Sequence, residues 1–170
     1  MNASNAQLSL YHPNSKGTGC AIKMKLVPAH DFDAGYIAVT LAPQLSVADS
    51  ETGERVYPRF DWDNALTENL AFDDLTKLLQ VFRGESETLE DGKGIFHRST
   101  GKDGSATVIR LTHHIEPTSC YVLELSKRRL EDGDERRAHF AFMPSEALGI
   151  EIAIEDSFGV LCFGVPEIAD

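Results

Sequence analysis

Apolar and polar residues alternate along short stretches of this chain, and the clearest alternation lies at residues 19–27. Ile22 and Met24 fall on one face of an extended segment there, and Lys23 and Lys25 fall on the other. A period of two is typical of a half-buried β-strand, and in this segment it predicts a cationic outer face. The pattern predicts three further strands and one amphipathic helix in this half of the chain, at residues 8–11, 35–42, 64–70 and 72–82.

The second half of the chain repeats this order of elements. Strands are predicted at residues 94–100, 106–115, 119–127 and 136–143. Pro144 then occupies the first position of a predicted helix, a favoured place for proline, and the helix continues to about residue 161. Apolar residues occupy nearly every side of this helix, so it is covered by the rest of the protein or by another subunit. We favour a subunit interface, because two sheets and two helices in 170 residues can hardly bury it all.

The elements form a ββββα unit that occurs twice, at about residues 8–84 and 93–164. The predicted fold class is therefore α+β, with two four-stranded antiparallel β-sheets, each followed by a helix. Residues 85–92 are an acidic linker between the repeats, and residues 43–57 are a long polar connection that we expect to be mobile. We expect a single domain over residues 1–170, because this length suffices for one sizeable core.

The composition is typical of a soluble globular protein. Hydrophobic residues make up 42% of the chain and charged residues 25%, which argues against wholesale disorder. No apolar run reaches the ~18 residues that a membrane span needs, so no membrane partner is expected. Residues 1–7 are polar, lack the pattern of a signal or transit peptide, and are expected to be a disordered tail. These features predict a cytoplasmic protein.

Charge is unevenly distributed along the chain. The net charge of −11 opposes polyanion binding at long range, but salt screens that repulsion beyond ~8 Å. Residues 1–30 contain three lysines and no acid, and residues 92–115 contain four basic residues and one acid. Each stretch therefore carries a net charge of +3. Two basic, strand-rich stretches on an acidic body predict a protein that binds a polyanion.

Single-stranded nucleic acid is the polyanion that fits best, because it binds to basic grooves that carry aromatic rings for base stacking. The candidates in the first repeat are the cations Lys16, Lys23 and Lys25 and the rings Tyr11, His12 and Tyr36. The matching candidates in the second repeat are the cations Lys93, Arg98, Lys102 and Arg110 and the rings Phe96 and His97. Lysines on an outer strand are also common without any ligand, so a solvated lysine face is the alternative.

The triplet Lys127, Arg128 and Arg129 is ambiguous between nucleic-acid binding and ion pairing. It faces the acidic turn at residues 131–135. Cross-strand pairs of opposite charge stabilise an antiparallel sheet, so ion pairing across the turn is the favoured role.

No residue pattern indicates catalysis, a cofactor or a metal site. Cys20, Cys120 and Cys162 lack the spacing of a zinc site or a redox pair and are expected to be buried or half-buried thiols. His113 and His114 are adjacent in a predicted strand, so their side chains point to opposite faces and cannot chelate together. The sequence contains no nucleophile elbow and no Walker loop, and we expect a protein that is not an enzyme.

Several landmarks occur in the order found in one known family. Residues 16–22 are similar to a lysine-glycine-lysine-alanine-alanine-leucine signature on that family's second strand, although the second lysine is absent here. Residues 41–43 resemble the end of its third strand, residues 60–62 its aromatic-aspartate-tryptophan motif, and residues 142–144 the end of its second sheet. On these motifs, across about residues 16–163, the chain resembles the Whirly family of single-stranded DNA-binding proteins.

The resemblance implies a fold shared with the PC4 and PUR-α proteins, and a homo-oligomer, specifically a tetramer with its helices at the centre. It places Lys16 and Gly17 in the nucleic-acid-binding signature. The implied function is sequence-independent binding of single-stranded DNA in repair, recombination or transcription regulation. Two alternatives stay open: RNA binding, because stacking and phosphate contacts do not read the sugar, and a protein-interaction or scaffold module of the same fold without nucleic-acid affinity.

Overall fold

A computed structural model describes residues 7–48, 56–99 and 104–165 of the chain. Within these ranges the fold is α+β and contains two antiparallel sheets, each followed by a helix, as the hydrophobic pattern predicts. The predicted tail, apart from its last residue, and residues 49–55 of the predicted polar connection lie outside the described residues. No helix in the described ranges is long and apolar enough to cross a membrane.

The first repeat forms the first sheet. Its strands are β1 (Leu8–His12), β2 (Cys20–Val27), β3 (Tyr36–Ser46), β4 (Arg59–Phe60) and β5 (Leu66–Leu70). The antiparallel order is β1-β2-β3-β5, and the two-residue β4 pairs with the far end of β3 on the same edge as β5. Helix α1 (Phe72–Phe82) follows the sheet, and a short 3-10 helix (Leu89–Gly92) leads to the second repeat.

The second repeat forms a four-stranded antiparallel meander. Its strands are β6 (Ile95–Ser99), β7 (Ser105–His114), β8 (Cys120–Arg129) and β9 (Glu135–Phe142), paired in chain order. Helix α2 (Pro144–Phe163) closes the repeat. Pro144 occupies the start of this helix as predicted, where its missing N–H leaves no bond unmade.

Strand β3 is longer than the alternation predicts. The ladder continues past Pro43, because the Gln44 N–H donates to the Gly19 carbonyl at 2.8 Å and the Asp61 N–H donates to the Pro43 carbonyl at 2.9 Å. Proline has no N–H and usually marks the end of a strand, which hides this continuation in the sequence. The prediction of a polar connection from residue 43 is therefore wrong for its first four residues, which belong to β3.

Both sheets pack their inner faces on the helices in one continuous core. The core draws on both repeats, and its members include Val39, Leu75, Leu111, Phe140 and Ile154, each at most 1% exposed. Burial of one such side chain stabilises the fold by about 1.5–3 kcal/mol. The shared core is therefore the main link between the repeats.

A polar cluster links the repeats at the edge of the core. The His97 ring on β6 lies between two carboxylates, with Nδ1 3.0 Å from Glu68 of β5 and Nε2 3.2 Å from Asp74 of α1. Lys127 of β8 lies 3.8 Å from Glu68. Burial lowers the pKa of His97, but hydrogen bonds to Glu68 and Asp74 outweigh it and raise that pKa overall. Only the protonated ring can donate from both nitrogens, so this geometry favours imidazolium.

Helix α2 turns one side into the core and leaves another side exposed. Ile154 is fully buried, whereas Leu148, Ile152 and Phe163 are 58%, 51% and 89% exposed. Burial of this second side in a subunit interface stays a prediction. Cys162 is also exposed, so the expectation of a buried or half-buried thiol is wrong there, because nothing in the described residues covers this part of the helix.

Candidate nucleic-acid interface

The outer face of β2 carries Lys23 and Lys25, as the alternation predicts. Lys23 pairs with Ser9 of β1 and Thr40 of β3, and Lys25 pairs with Ala38 of β3. None of these neighbours is charged, and the ion pairs among the described residues involve neither lysine. Lys23 and Lys25 therefore form no ion pair within the described chain.

Three aromatic rings lie beside these lysines near the start of β2. The Tyr11 ring centroid lies 5.7 Å from that of Phe60 and 6.4 Å from that of Trp62. Tyr11 is 51% exposed, and the other two rings are half-buried. On the same face, Tyr11 pairs with the fully buried Ala21. These three rings, termed the aromatic platform, offer a surface on which bases can stack.

Lys23 connects the cations to the aromatic platform. Its Nζ lies 3.7 Å from the centroid of the Trp62 ring. This distance is well inside the ~6 Å range of a cation–π interaction. The contact holds an ammonium group and an indole face at one point of the sheet.

The β1–β2 turn presents Lys16 at the end of this face. The Gln44 Oε1 accepts hydrogen bonds from the N–H groups of Asn14 at 2.9 Å and Gly19 at 3.1 Å. Its Nε2 donates to the Asn14 carbonyl at 3.0 Å. Gly17 has φ of +71°, a left-handed conformation that favours glycine. Gln44 thus holds the predicted signature residues Lys16 and Gly17 in an ordered turn, where Lys16 is exposed.

The other two predicted rings of this repeat lie away from the aromatic platform. Tyr36 pairs with Val27, at the opposite end of β2, and shares the outer face with Lys25. Stacking on Tyr36 stays a prediction. His12 lies on the inner face of β1 and stacks on Phe140 with centroids 4.5 Å apart. Its place among the interface residues is wrong, because the alternation of β1 turns it toward the core.

The described candidates of the second repeat, apart from His97, form a separate group on the second sheet. Lys102 lies outside the described residues. The place of His97 among the interface residues is wrong, because the alternation of β6 turns its ring inward to Glu68 and Asp74. Phe96 and Arg98 are exposed on the outer face of β6. Arg110 lies on the outer face of β7 and is ion-paired with Glu124 at 3.0 Å. Lys93 is exposed directly after the 3-10 helix. The structure therefore does not join this group to the lysines of β2, and Arg110 is partly neutralised.

The basic triplet divides between two roles. Arg129 is ion-paired across the turn with Asp132 at 3.0 Å and with Asp134 at 3.6 Å, as predicted. Lys127 instead faces the inner side of the second sheet, where its partner is Glu68. The prediction of pairing across the turn is wrong for Lys127, because strand alternation points it toward the other repeat.

Phe60 and Trp62 are interface candidates that the charge pattern does not identify. Both precede β5, outside the stretches in which lysines alternate with apolar residues. A signal is nevertheless present, because Trp62 is the single tryptophan of the chain and lies two residues from another aromatic ring. Two aromatic residues close together in a connecting segment could therefore have identified a stacking surface next to the basic strand.

The outer face of the first sheet presents groups that can contact phosphates and bases. No group of three potential metal ligands occurs among the described residues. Burial raises the pKa of the Cys20 thiol to about 12, against the opposing effect of its backbone hydrogen bonds. Cys20 therefore stays a thiol at neutral pH, whereas a nucleophile must be a thiolate. What the face presents to solvent is cations, rings and hydroxyl groups.

Comparisons with known proteins give matches in structure. No protein-family model matches the chain, and no curated protein matches its sequence. WHY3 from Arabidopsis thaliana matches with a TM-score of 0.71 and 14% identity, over 95% of this chain and 90% of that chain. The plant transcriptional regulator PBF-2 matches with a TM-score of 0.69 and 12% identity, over 95% of this chain and 92% of that chain. A guide-RNA-binding protein complex bound to a guide RNA matches with a TM-score of 0.54 and 13% identity, over 89% and 88%.

WHY3 and PBF-2 are Whirly proteins, and their matches extend over both repeats. At identities of 12% and 14%, the matches show a shared fold and assign no role to individual residues. The resemblance inferred from the ordered motifs is thus confirmed for the architecture. The chain has the Whirly fold, with two antiparallel sheets, each followed by a helix.

Proposed function

We propose that this protein binds single-stranded DNA across the outer face of its first sheet, with little sequence preference. One observation carries the proposal. The aromatic platform stands beside Lys23 and Lys25, on a face where the residues paired with those lysines are uncharged.

Each part of the face supplies one kind of contact. Lysines attract phosphates. Stacking of a base on an aromatic ring contributes about 1–3 kcal/mol per base to binding. Every base has a π-face, so stacking distinguishes poorly between sequences. The arrangement therefore suits a strand of arbitrary sequence.

The acidic net charge is compatible with this interface. Repulsion from the rest of the protein is screened beyond ~8 Å at physiological salt, whereas the lysines would touch the phosphates. The electrostatic contribution to affinity should consequently be small, and affinity should depend mainly on base stacking. A few phosphate contacts predict a moderate slope of affinity against salt.

The choice of ligand and role rests on the resemblance. We propose DNA, in repair, recombination or transcription regulation, and the plant transcriptional regulator PBF-2 supports the last of these roles. RNA is the second candidate, because a complex bound to a guide RNA shares the fold. We also propose that the protein is cytoplasmic and is not an enzyme.

The exposed side of α2 supports a homo-oligomer. Leu148, Ile152 and Phe163 would be removed from water by a second copy of the helix. Burial of apolar area is the main driving force of such association. A tetramer with its helices at the centre is the arrangement that the resemblance implies.

A protein-interaction module is the competing function. The ion pair between Arg110 and Glu124 lowers the free positive charge of the second sheet and favours this alternative. The two functions differ in their response to salt, because phosphate contacts release counterions and apolar contacts do not.

Fluorescence anisotropy of a labelled single-stranded DNA of about 30 nucleotides tests the proposal. Titrations at several salt concentrations, with duplex DNA and RNA as competitors, measure affinity and ligand preference. Binding that weakens with salt and resists duplex competition is expected. No binding at low salt would overturn the proposal and leave the protein-interaction module.

Single lysine variants locate the interface. Lys25→Gln should weaken binding and reduce the salt slope by about one unit. Lys77→Gln is the matched control, because Lys77 lies on α1 and is ion-paired with Asp73 and Glu90. Equal effects of both variants would place the bound strand elsewhere.

A further inference from the structure

A shallow trough crosses the outer face of the second sheet, away from the aromatic platform. Its volume is about 340 Å³, and its lining includes Phe96, Ala106, Val108, Ser126, Arg128 and Glu135. Leu130 also lines the trough, and Phe96 and Leu130 are 62% and 44% exposed. An apolar concavity with a few convergent polar groups is the usual form of a small-ligand site.

Strand register determines the shape of the trough. Phe96 on β6 and Ser126 on β8 both pair with Val108 on β7. Neighbouring strands lie about 4.8 Å apart, so Phe96 and Ser126 stand about 10 Å from each other. Ala106 lies next on the same face of β7, and its small side chain keeps the floor low.

Glu135 supplies a fixed hydrogen-bond acceptor at the far wall. Its Oε1 accepts from the Ser126 hydroxyl at 2.5 Å and from the Arg137 Nε at 3.0 Å. No hydrogen bond from the described residues reaches its Oε2. The hydrogen bonds from Ser126 and Arg137 lower the pKa of Glu135, so the carboxylate is ionised and can only accept.

Arg128 supplies a cation next to this acceptor. It pairs with Ala106 on one side and with Glu135 on the other. A guanidinium group can stack on a base or hold a phosphate, and both contacts occur in complexes with single strands. The trough therefore combines an aromatic wall, a cation and an oriented acceptor.

We propose that the trough binds one unstacked nucleobase that carries an exocyclic amino group, with Phe96 stacking on the ring and Glu135 accepting from the amino group. The proposal rests on the proposed function and adds a base contact on the second sheet. Cytosine fits, because its N4 amino group is a donor to carboxylates. Thymine presents a carbonyl oxygen at that position, which the carboxylate repels.

The test compares oligonucleotides of equal length made only of deoxycytidine or only of deoxythymidine. The wild-type protein should bind the cytosine strand about threefold to tenfold tighter, which is the effect of about one hydrogen bond. In Glu135→Gln, the amide oxygen should take the position that faces Ser126 and Arg137. Its NH₂ group then points into the trough as a donor, so the preference should vanish or reverse toward thymine.

Two further variants complete the test. Glu131→Gln removes the same charge from the neighbouring turn and should keep the cytosine preference. Phe96→Leu should weaken binding of both strands, and because Phe96 is exposed the fold should tolerate the change. Equal wild-type affinity for the two strands, or a preference that survives Glu135→Gln, would overturn the trough proposal alone. If the wild-type protein bound neither oligonucleotide, the proposed function would be overturned instead.

Discussion

Lys23 holds its ammonium group over the face of Trp62, 3.7 Å from the ring centroid. The residue proposed to bind a phosphate is thus in contact with a ring proposed to stack a base. In the free protein the cation shields one face of the indole. A bound nucleic-acid strand would replace the contact between Lys23 and Trp62 with two others: a phosphate on Lys23 and a base stacked on Trp62.

Trp62 should therefore report binding directly. As the single tryptophan of the chain, it is the source of the intrinsic tryptophan fluorescence. Saturation with single-stranded DNA should quench this fluorescence, and Trp62→Leu should weaken binding by about 1–3 kcal/mol. Phe32→Leu is the control, because Phe32 is fully exposed in the β2–β3 turn. Unchanged fluorescence at saturation would exclude Trp62 from the contact.

The β1–β2 turn should tolerate no side chain at Gly19. A Cβ there would lie 2.2 Å from the His12 carbonyl oxygen and 2.5 Å from the Gln44 Oε1. Gly19→Ala should lower the free energy of unfolding by about 1–3 kcal/mol, measured by urea denaturation. Gly149→Ala is the matched control in α2, where the added Cβ meets no atom within 4 Å. That variant should gain about 0.5–1 kcal/mol, because alanine favours helix more than glycine does.

The stability of the fold should depend on pH through His97. Its folded-state pKa is raised above the ordinary 6.5 by Glu68 and Asp74, although burial opposes them. A raised pKa means that protonation stabilises the folded state. This contribution is fully present below pH 6.5 and is lost as the pH rises through the folded-state pKa.

Urea denaturation of the wild type and of His97→Gln at about pH 6 and about pH 9 measures this contribution. The wild type should lose more stability than the variant over this interval, because glutamine does not titrate. Identical pH dependence in both proteins would show that His97 is uncharged in the cluster or that its contacts contribute nothing.

The two repeats were predictable because each strand and helix has its own local pattern. Lys23 and Lys25 alternate with Ile22 and Met24, and that alone determines their face. The short range of such patterns also explains the error at β3. The strand was predicted to end before Pro43, but two further residue pairs with β4 follow it. Alternation of apolar and polar residues cannot show whether the ladder requires an N–H donor at the position of a proline.

The candidate site was only partly predictable, because its contacts join residues far apart in the chain. Lys23 lies over Trp62, and Glu68 meets His97. Such pairs depend on how strands come together and leave no periodic trace. The face of each cation could be predicted, but the ring beside it and the acid that neutralises Arg110 could not.

The exposed side of α2 gives the test of assembly. Ile152 is 51% exposed and points away from the core residues of its helix, so a charge there should leave the folded monomer intact. In an oligomer built on this side, Ile152→Glu would bury a carboxylate among apolar residues, which is unfavourable by several kcal/mol. The variant should therefore dissociate into monomers in sedimentation velocity while keeping the wild-type circular dichroism spectrum. Ile115→Glu is the matched control, because Ile115 is 58% exposed beyond the end of β7. A wild-type protein that sediments as a monomer, or an Ile152→Glu variant that stays assembled, would show that this side of α2 is not the interface.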